Sequence, residues 1–168
     1  MTIDLMGEAL AVAEAALAAG ELPIGAVLAV GDEIIARAHT SDVGSRRRLA
    51  HAEMLAMADA DSLLGWDRRP APLRLATTLE PCVMCLGAAM ALRVDELTYG
   101  LEAPGDGAHA VLAGWRPGPG MEWYRLPSIA GGVRRTECRD LYRRWCGTAP
   151  ADSGFRHFAE VMAGLPDV

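Results

Sequence analysis

Leu73-Arg74-Leu75-Ala76-Thr77-Thr78-Leu79-Glu80-Pro81-Cys82-Val83-Met84-Cys85 decides how the rest of the chain is read. Its first half has the composition of a buried strand, and Pro81 suits the first turn of a helix continuing through Met84, Ala88 and Leu92. A strand that feeds directly into a helix is the building unit of a layered α/β fold. Cys82 and Cys85 stand three apart at the start of that helix, so their sulfurs face one side, where the positive end of the helix dipole favours thiolates. Upstream, Ala50-His51-Ala52-Glu53-Met54 opens another predicted helix and supplies an imidazole and a carboxylate. Zinc held by His51, Cys82 and Cys85 keeps a fourth tetrahedral position for water and lowers that water's pKa to roughly 7. Glu53, two residues after His51, points in a different direction on the helix and projects beside the metal, where a carboxylate can relay a proton. The competing reading is a closed structural site with its fourth ligand from His39, His109, His157, Cys138 or Cys146. Structural sites commonly present two ligand pairs, and this chain has one Cys pair plus a His partnered by an acid.

Outward from this segment, apolar residues at Leu5, Ala9, Val12 and Ala16 predict an amphipathic helix over 5–17, with Gly20 placed as a left-handed cap. Residues 26–30 and 33–37 flank Gly31-Asp32 and predict a hairpin. The stretch 41–49 has loop composition and borders the metal pocket. A strand is expected over 94–99 and a last one near 123–126, after a Gly- and Pro-rich stretch over 104–120. Cys138, Leu141, Tyr142 and Trp145 form one helical stripe, with arginines on other faces. Glu80 reads as a structural acid that satisfies loop or helix-end amides. Cys138 and Cys146 read as buried thiols.

The 168 residues suit one domain, 1–168, with a core between helices on both sides. Lysine is absent, which removes Schiff-base and P-loop lysine chemistry. A net charge of -6 argues against broad attraction to a polyanion and favours a small neutral substrate. Acidic residues near the N-terminus and the lack of a long uncharged run predict a cytoplasmic protein with no membrane partner. Two arginine groups could contact phosphates: Arg46-Arg47-Arg48, and the i, i+4, i+8 stripe of Arg135, Arg139 and Arg143. Interleaved Glu137 and Asp140 favour a solvated or intersubunit face for the second.

The paired motifs His51-Ala52-Glu53 and Pro81-Cys82-Val83-Met84-Cys85 are the signature of zinc deaminases. The chain resembles the cytidine and deoxycytidylate deaminase superfamily, in the branch of tRNA adenosine deaminases and bacterial guanine or cytosine deaminases. That resemblance implies a three-layer α/β/α fold with a mixed sheet of about five strands, a Zn²⁺ cofactor, Glu53 as the catalytic acid/base and a homodimer. It also implies hydrolytic removal of an amino group as ammonia. Where tRNA-acting members carry an Asn before the metal His, this chain has Thr40, and an Asp-Pro-Thr-like run is replaced by Arg47-Arg48-Leu49. These departures favour a free aminated nucleobase or related N-heterocycle, with tRNA adenosine or a nucleoside as the alternative. Thr40 and Trp115 are the candidate substrate contacts. The segment 147–168, with Phe155 and Phe158, replaces the basic tail of tRNA-acting members and is expected either to lie over the pocket as a lid or to pack on the surface.

Overall fold

The computed structural model describes residues 3–167. Helix α1 (Leu5–Ala18) is capped at its start by Asp4, whose carboxylate accepts Gly7 N–H at 2.9 Å. Gly20 follows it at φ 79°, a conformation that favours glycine. Strands β1 (Gly25–Val30) and β2 (Glu33–His39) form the expected hairpin, with Gly31 at φ 59° in the turn. The predicted loop that follows contains a short helix, α2 (Asp42–Ser45). Its formation has a tertiary cause: the buried Glu21 carboxylate accepts Val43 N–H at 3.3 Å and Gly44 N–H at 2.6 Å.

Helix α3 (Ala52–Leu64), strand β3 (Leu73–Leu79) and helix α4 (Val83–Ala91) come next. His51 and Cys82 are the N-cap residues of α3 and α4, so Pro81 precedes the helix it was expected to open. Strand β4 (Glu96–Leu101) starts two residues later than the pattern suggests. Val94 belongs to the end of α4, where Arg93 turns left-handed at φ 59° and Val94 N–H bonds Ala89 O at 2.9 Å. A short α5 (His109–Leu112) precedes β5 (Ser128–Ala130), and residues 123–126 form no strand. The aromatics expected there pack sideways instead: Tyr124 donates to Gly87 O at 3.1 Å and meets the Trp115 and Trp123 rings edge-on. Helices α6 (Arg135–Thr148) and α7 (Arg156–Ala163) end the chain.

The sheet order is β2-β1-β3-β4-β5, with β1 antiparallel to β2 and β3, and β3, β4 and β5 parallel. Strand alternation divides the core into two sides. Val27, Ala29 and Ala76 pack against α1, α6 and α7. Ala26, Leu28, Leu73 and Leu75 pack against α3 and α4. The three-layer α/β/α arrangement with a mixed five-stranded sheet is therefore as expected. Gly25 is needed where β1 passes α1, because a Cβ there would strike Ala9 O and Ala13 N. No helix among the described residues is long and apolar enough to cross a membrane.

Candidate active site

The C-terminal end of β3 delivers Glu80, Pro81 and Cys82 to the sheet edge where α3 and α4 begin. Cys82 Sγ lies 3.6 Å from Cys85 Sγ and 3.8 Å from His51 Nδ1, and Cys85 Sγ lies 3.6 Å from the same nitrogen. Zinc bonds of about 2.3 Å to sulfur and about 2.0 Å to nitrogen in tetrahedral array require ligand separations of roughly this size. The three donors thus fit zinc. They form a possible zinc site that no fourth His, Cys, Asp or Glu among the described residues joins. Three of the five alternative fourth ligands are engaged elsewhere: Cys138 is buried in the core beside α1, His109 packs edge-on against Tyr99, and His39 Nδ1 lies 2.6 Å from Thr40 O.

The two sulfurs act on each other: contact with Cys85 holds the pKa of Cys82 down to about 4, and the same contact pushes Cys85 upward. The Cys82 sulfur raises the pKa of His51. Glu53 is 4% exposed, and burial pushes its carboxyl up to about 7, against the opposing pull of its own backbone N–H and of His51.

Glu80 behaves differently. Its oxygens accept Ala103 N–H at 3.0 Å and His109 N–H at 3.1 Å, which fixes the loop after β4 and the start of α5. Gly107 lies against this carboxylate with no room for a Cβ and pairs with Cys82 as a β-bridge. The structural role expected of Glu80 is what the contacts describe.

A cavity of about 240 Å³ opens onto these groups, lined on one side by His51, Glu53 and Cys82, and on the other by Leu22, Ile24, Phe155 and Phe158. Thr40 lines it, 2% exposed, with its hydroxyl 3.2 Å from both Asp42 Oδ1 and Ala50 O. Trp115 does not: its ring centroid lies 5.3 Å from that of Tyr124, away from the lining. The reason lies in the residues just beyond 104–120: Trp115 packs on Tyr124, which also meets Trp123. Asp42 and Asp106 also border the cavity, and burial raises the Asp106 carboxyl above its ordinary range. Asp42 carried no motif; its only sequence signal is its place two residues after Thr40. Arg46, Arg47 and Arg48 are exposed and outside the lining. A wider groove of about 870 Å³ at the opposite sheet end mixes Asp67, Arg68, Arg93 and Asp95 and holds none of these donors.

Comparison with known proteins agrees with this geometry. Residues 2–101 match the family described as cytidine and deoxycytidylate deaminase zinc-binding region. The tRNA-specific adenosine deaminase of Bacillus subtilis is 44% identical over 108 residues, which is 64% of this chain and 66% of that protein. The tRNA(Ile)-lysidine synthase of Deinococcus radiodurans is 38% identical over 84% of this chain, but the match spans only 24% of that longer protein. Among solved structures, one from work on A-to-I editing by tRNA:A34 deaminases superposes with a TM-score of 0.68 at 31% identity, over 82% of this chain and 97% of that one. A guanine deaminase from Nitrosomonas europaea superposes with a TM-score of 0.69 at 26% identity, over 86% and 85%. With the family match covering more than half of the residues, and the ligand triad lying inside it, the chain belongs to the cytidine and deoxycytidylate deaminase family, with a zinc-binding site and a cytidine-deaminase-like fold.

Proposed function

We propose that this chain is a zinc-dependent aminohydrolase acting on a free aminated nucleobase or a related six-membered N-heterocycle, with release of ammonia. One observation carries the substrate class. Two aromatic rings of the chain's own last helix, Phe155 and Phe158, line a cavity of about 240 Å³ whose charged lining, His51 aside, is entirely acidic. A volume below the ~300–1,000 Å³ typical of drug-sized ligand sites suits one small ring. Asp42, Glu80 and Asp106 around the mouth repel a phosphate and attract N–H donors.

His51, Cys82 and Cys85 would hold the zinc. Its chemistry there is to acidify a water, so that a nucleophile exists near neutral pH. Glu53 is the catalytic residue of this reading: it would take one proton from the attacking water and pass it to the ring nitrogen, then take the second from the hydroxyl added to the ring carbon and pass it to the amine as the C–N bond breaks. Burial favours the neutral form of this carboxyl and a cation beside it favours the carboxylate, so the side chain can both take up and release a proton. Apolar Leu22, Ile24 and Phe158 exclude bulk water, and Thr40 holds Asp42 at the rim. A homodimer and a cytoplasmic location belong to the same reading; sedimentation velocity tests the first.

The second reading, tRNA adenosine deamination, is supported by the sequence match to the Bacillus subtilis protein. Ammonia release from guanine, cytosine, adenine, aminotriazines, nucleosides and a tRNA anticodon stem-loop, each with and without chelator, separates the two. Turnover of a bare ring, abolished by chelator, is expected. Activity confined to the stem-loop would replace the free-ring reading with the tRNA one.

A further inference from the structure

The arginine stripe of α6 is directed at the chain's own C-terminus. Arg143 Nε donates to Ala163 O at 3.2 Å, Arg139 donates to Leu165 O at 3.0 Å, and Arg135 donates to Pro166 O at 2.7 Å. These carbonyls end α7 or follow it, at the negative pole of the helix, where they have no partner within the helix. Arg139 also pairs with Asp167. The converse contact closes the hairpin: Arg156, at the start of α7, donates to Cys146 O at 3.2 Å and Ala149 O at 2.7 Å at the end of α6.

Helix α7 needs such anchors. Its eight residues are too few to hold a helix unaided, and only Ala159 and Met162 are buried. Yet the same segment presents Phe155 and Phe158 to the cavity, with the Phe158 ring edge-on to the buried Tyr142 at 6.1 Å. Arg139 is 1% exposed, and its Nε makes no hydrogen bond among the described residues, with Asp140 Oδ1 4.0 Å away. Burying a cation with an unsatisfied donor is poor value for stability, and an apolar side chain would serve the core at least as well. What the guanidinium adds is direction, since its planar fork fixes where the chain end lies. Arg135 extends the connection: its Nε donates to Glu102 Oε2 at 2.7 Å, and Glu102 begins the loop that carries Asp106 to the cavity rim.

We propose that Arg135 and Arg139 are positioning residues for the cavity: they register the C-terminal tail so that Phe155 and Phe158 stand as its wall, and Arg135 couples that wall to the Asp106 loop. Arg135 and Arg139 are thereby unavailable to phosphates. The kinetic consequence rests on the ring-deaminase reading; the structural consequence does not, and the test has one arm for each.

Full-length zinc-loaded Arg139→Leu, Arg139→Lys, Arg135→Gln and Asp167→Asn proteins are compared with the parent by amide hydrogen exchange over 156–163 and by kinetics on guanine and cytosine. In Arg139→Leu, α7 amides are expected to exchange about tenfold faster, with KM raised about tenfold, kcat within about threefold and zinc per chain unchanged. Arg139→Lys keeps the charge without the fork and falls between the two, and Arg135→Gln and Asp167→Asn move the same way by less. Unchanged exchange in all four variants removes the latch. Faster exchange with unchanged KM shows that the tail is anchored as described but is no wall of the site, which overturns the positioning role. If the parent turns over none of guanine, cytosine, adenine and the aminotriazines, the proposed function fails and exchange alone decides the latch; if it turns over another of these rings, that ring replaces guanine and cytosine in the kinetics. If Arg139→Leu does not fold, Arg135→Gln and Asp167→Asn carry the same readouts.

Discussion

Glu53 and Glu80 flank the same three metal-type donors and have opposite surroundings. Glu80 has both oxygens bonded to backbone amides of a loop and a helix start. Glu53 is enclosed, and burial outweighs the polar groups around it, leaving a carboxyl near pKa 7. An acid whose two oxygens are both taken by backbone amides is a structural tie, since its acceptors are spent on the loop and the helix start. An acid poised near neutrality beside a metal site can exchange a proton during turnover.

The largest expected effect tests the Glu53 half. Glu53→Gln should lower ammonia release by about 10²–10⁴-fold while zinc content and thermal midpoint hold, because the amide keeps the shape and loses the exchangeable proton. Retained turnover in a zinc-loaded, folded variant would erase the distinction between the two acids. Next, Glu80→Ala leaves Ala103 and His109 amides without acceptors, and denaturant unfolding should report a loss of about 1–3 kcal/mol. Glu80→Gln keeps one carbonyl acceptor and should lose about half as much, so equal losses would mean that charge, not geometry, holds the loop.

The smallest effect concerns a third acid nearby. The Arg135 guanidinium holds Glu102 below the ordinary carboxylate range. A lowered folded pKa gives stability that is complete above the unfolded value of about 4.3 and is lost as pH falls through the folded one. Glu102→Gln should therefore flatten the acid limb of the stability profile below pH ~4.3, by less than about 1 kcal/mol because the carboxylate is more than a third exposed. A steeper limb in the variant would show that the pair is not formed.

Two arginine groups repeat the lesson that residue type does not reveal residue role. Arg46, Arg47 and Arg48 lie exposed, with Arg46 in a left-handed turn at φ 55°. Arg135, Arg139 and Arg143 have the spacing of a solvated face, yet they bind carbonyls 20 to 31 residues away. The expectation of arginines on faces away from the core therefore fails at Arg139, which is buried. Its partners are the Leu165 carbonyl oxygen, a group every residue possesses, and the Asp167 carboxylate 28 residues on, and no sequence pattern marks either pairing.

Local chemistry accounts for what was legible in the residue order. The ligand triad and Glu53 could be read because each motif sits at one helix start, where spacing alone sets direction. The hairpin followed from two apolar runs around a turn glycine, β3 from its strand composition, and helix α1 from its apolar spacing. Strand β5, the helix over Asp42–Ser45, the location of Trp115, the acids at the cavity rim and the choice between pocket and surface for Phe155 and Phe158 were decided only in three dimensions. Each depends on a partner distant in the chain: Glu21 for α2, the aromatic cluster for Trp115, and the α6 arginines for α7. Such contacts form wherever folding brings unsatisfied donors to unsatisfied acceptors, and that meeting is a property of the assembled layers, not of neighbouring letters.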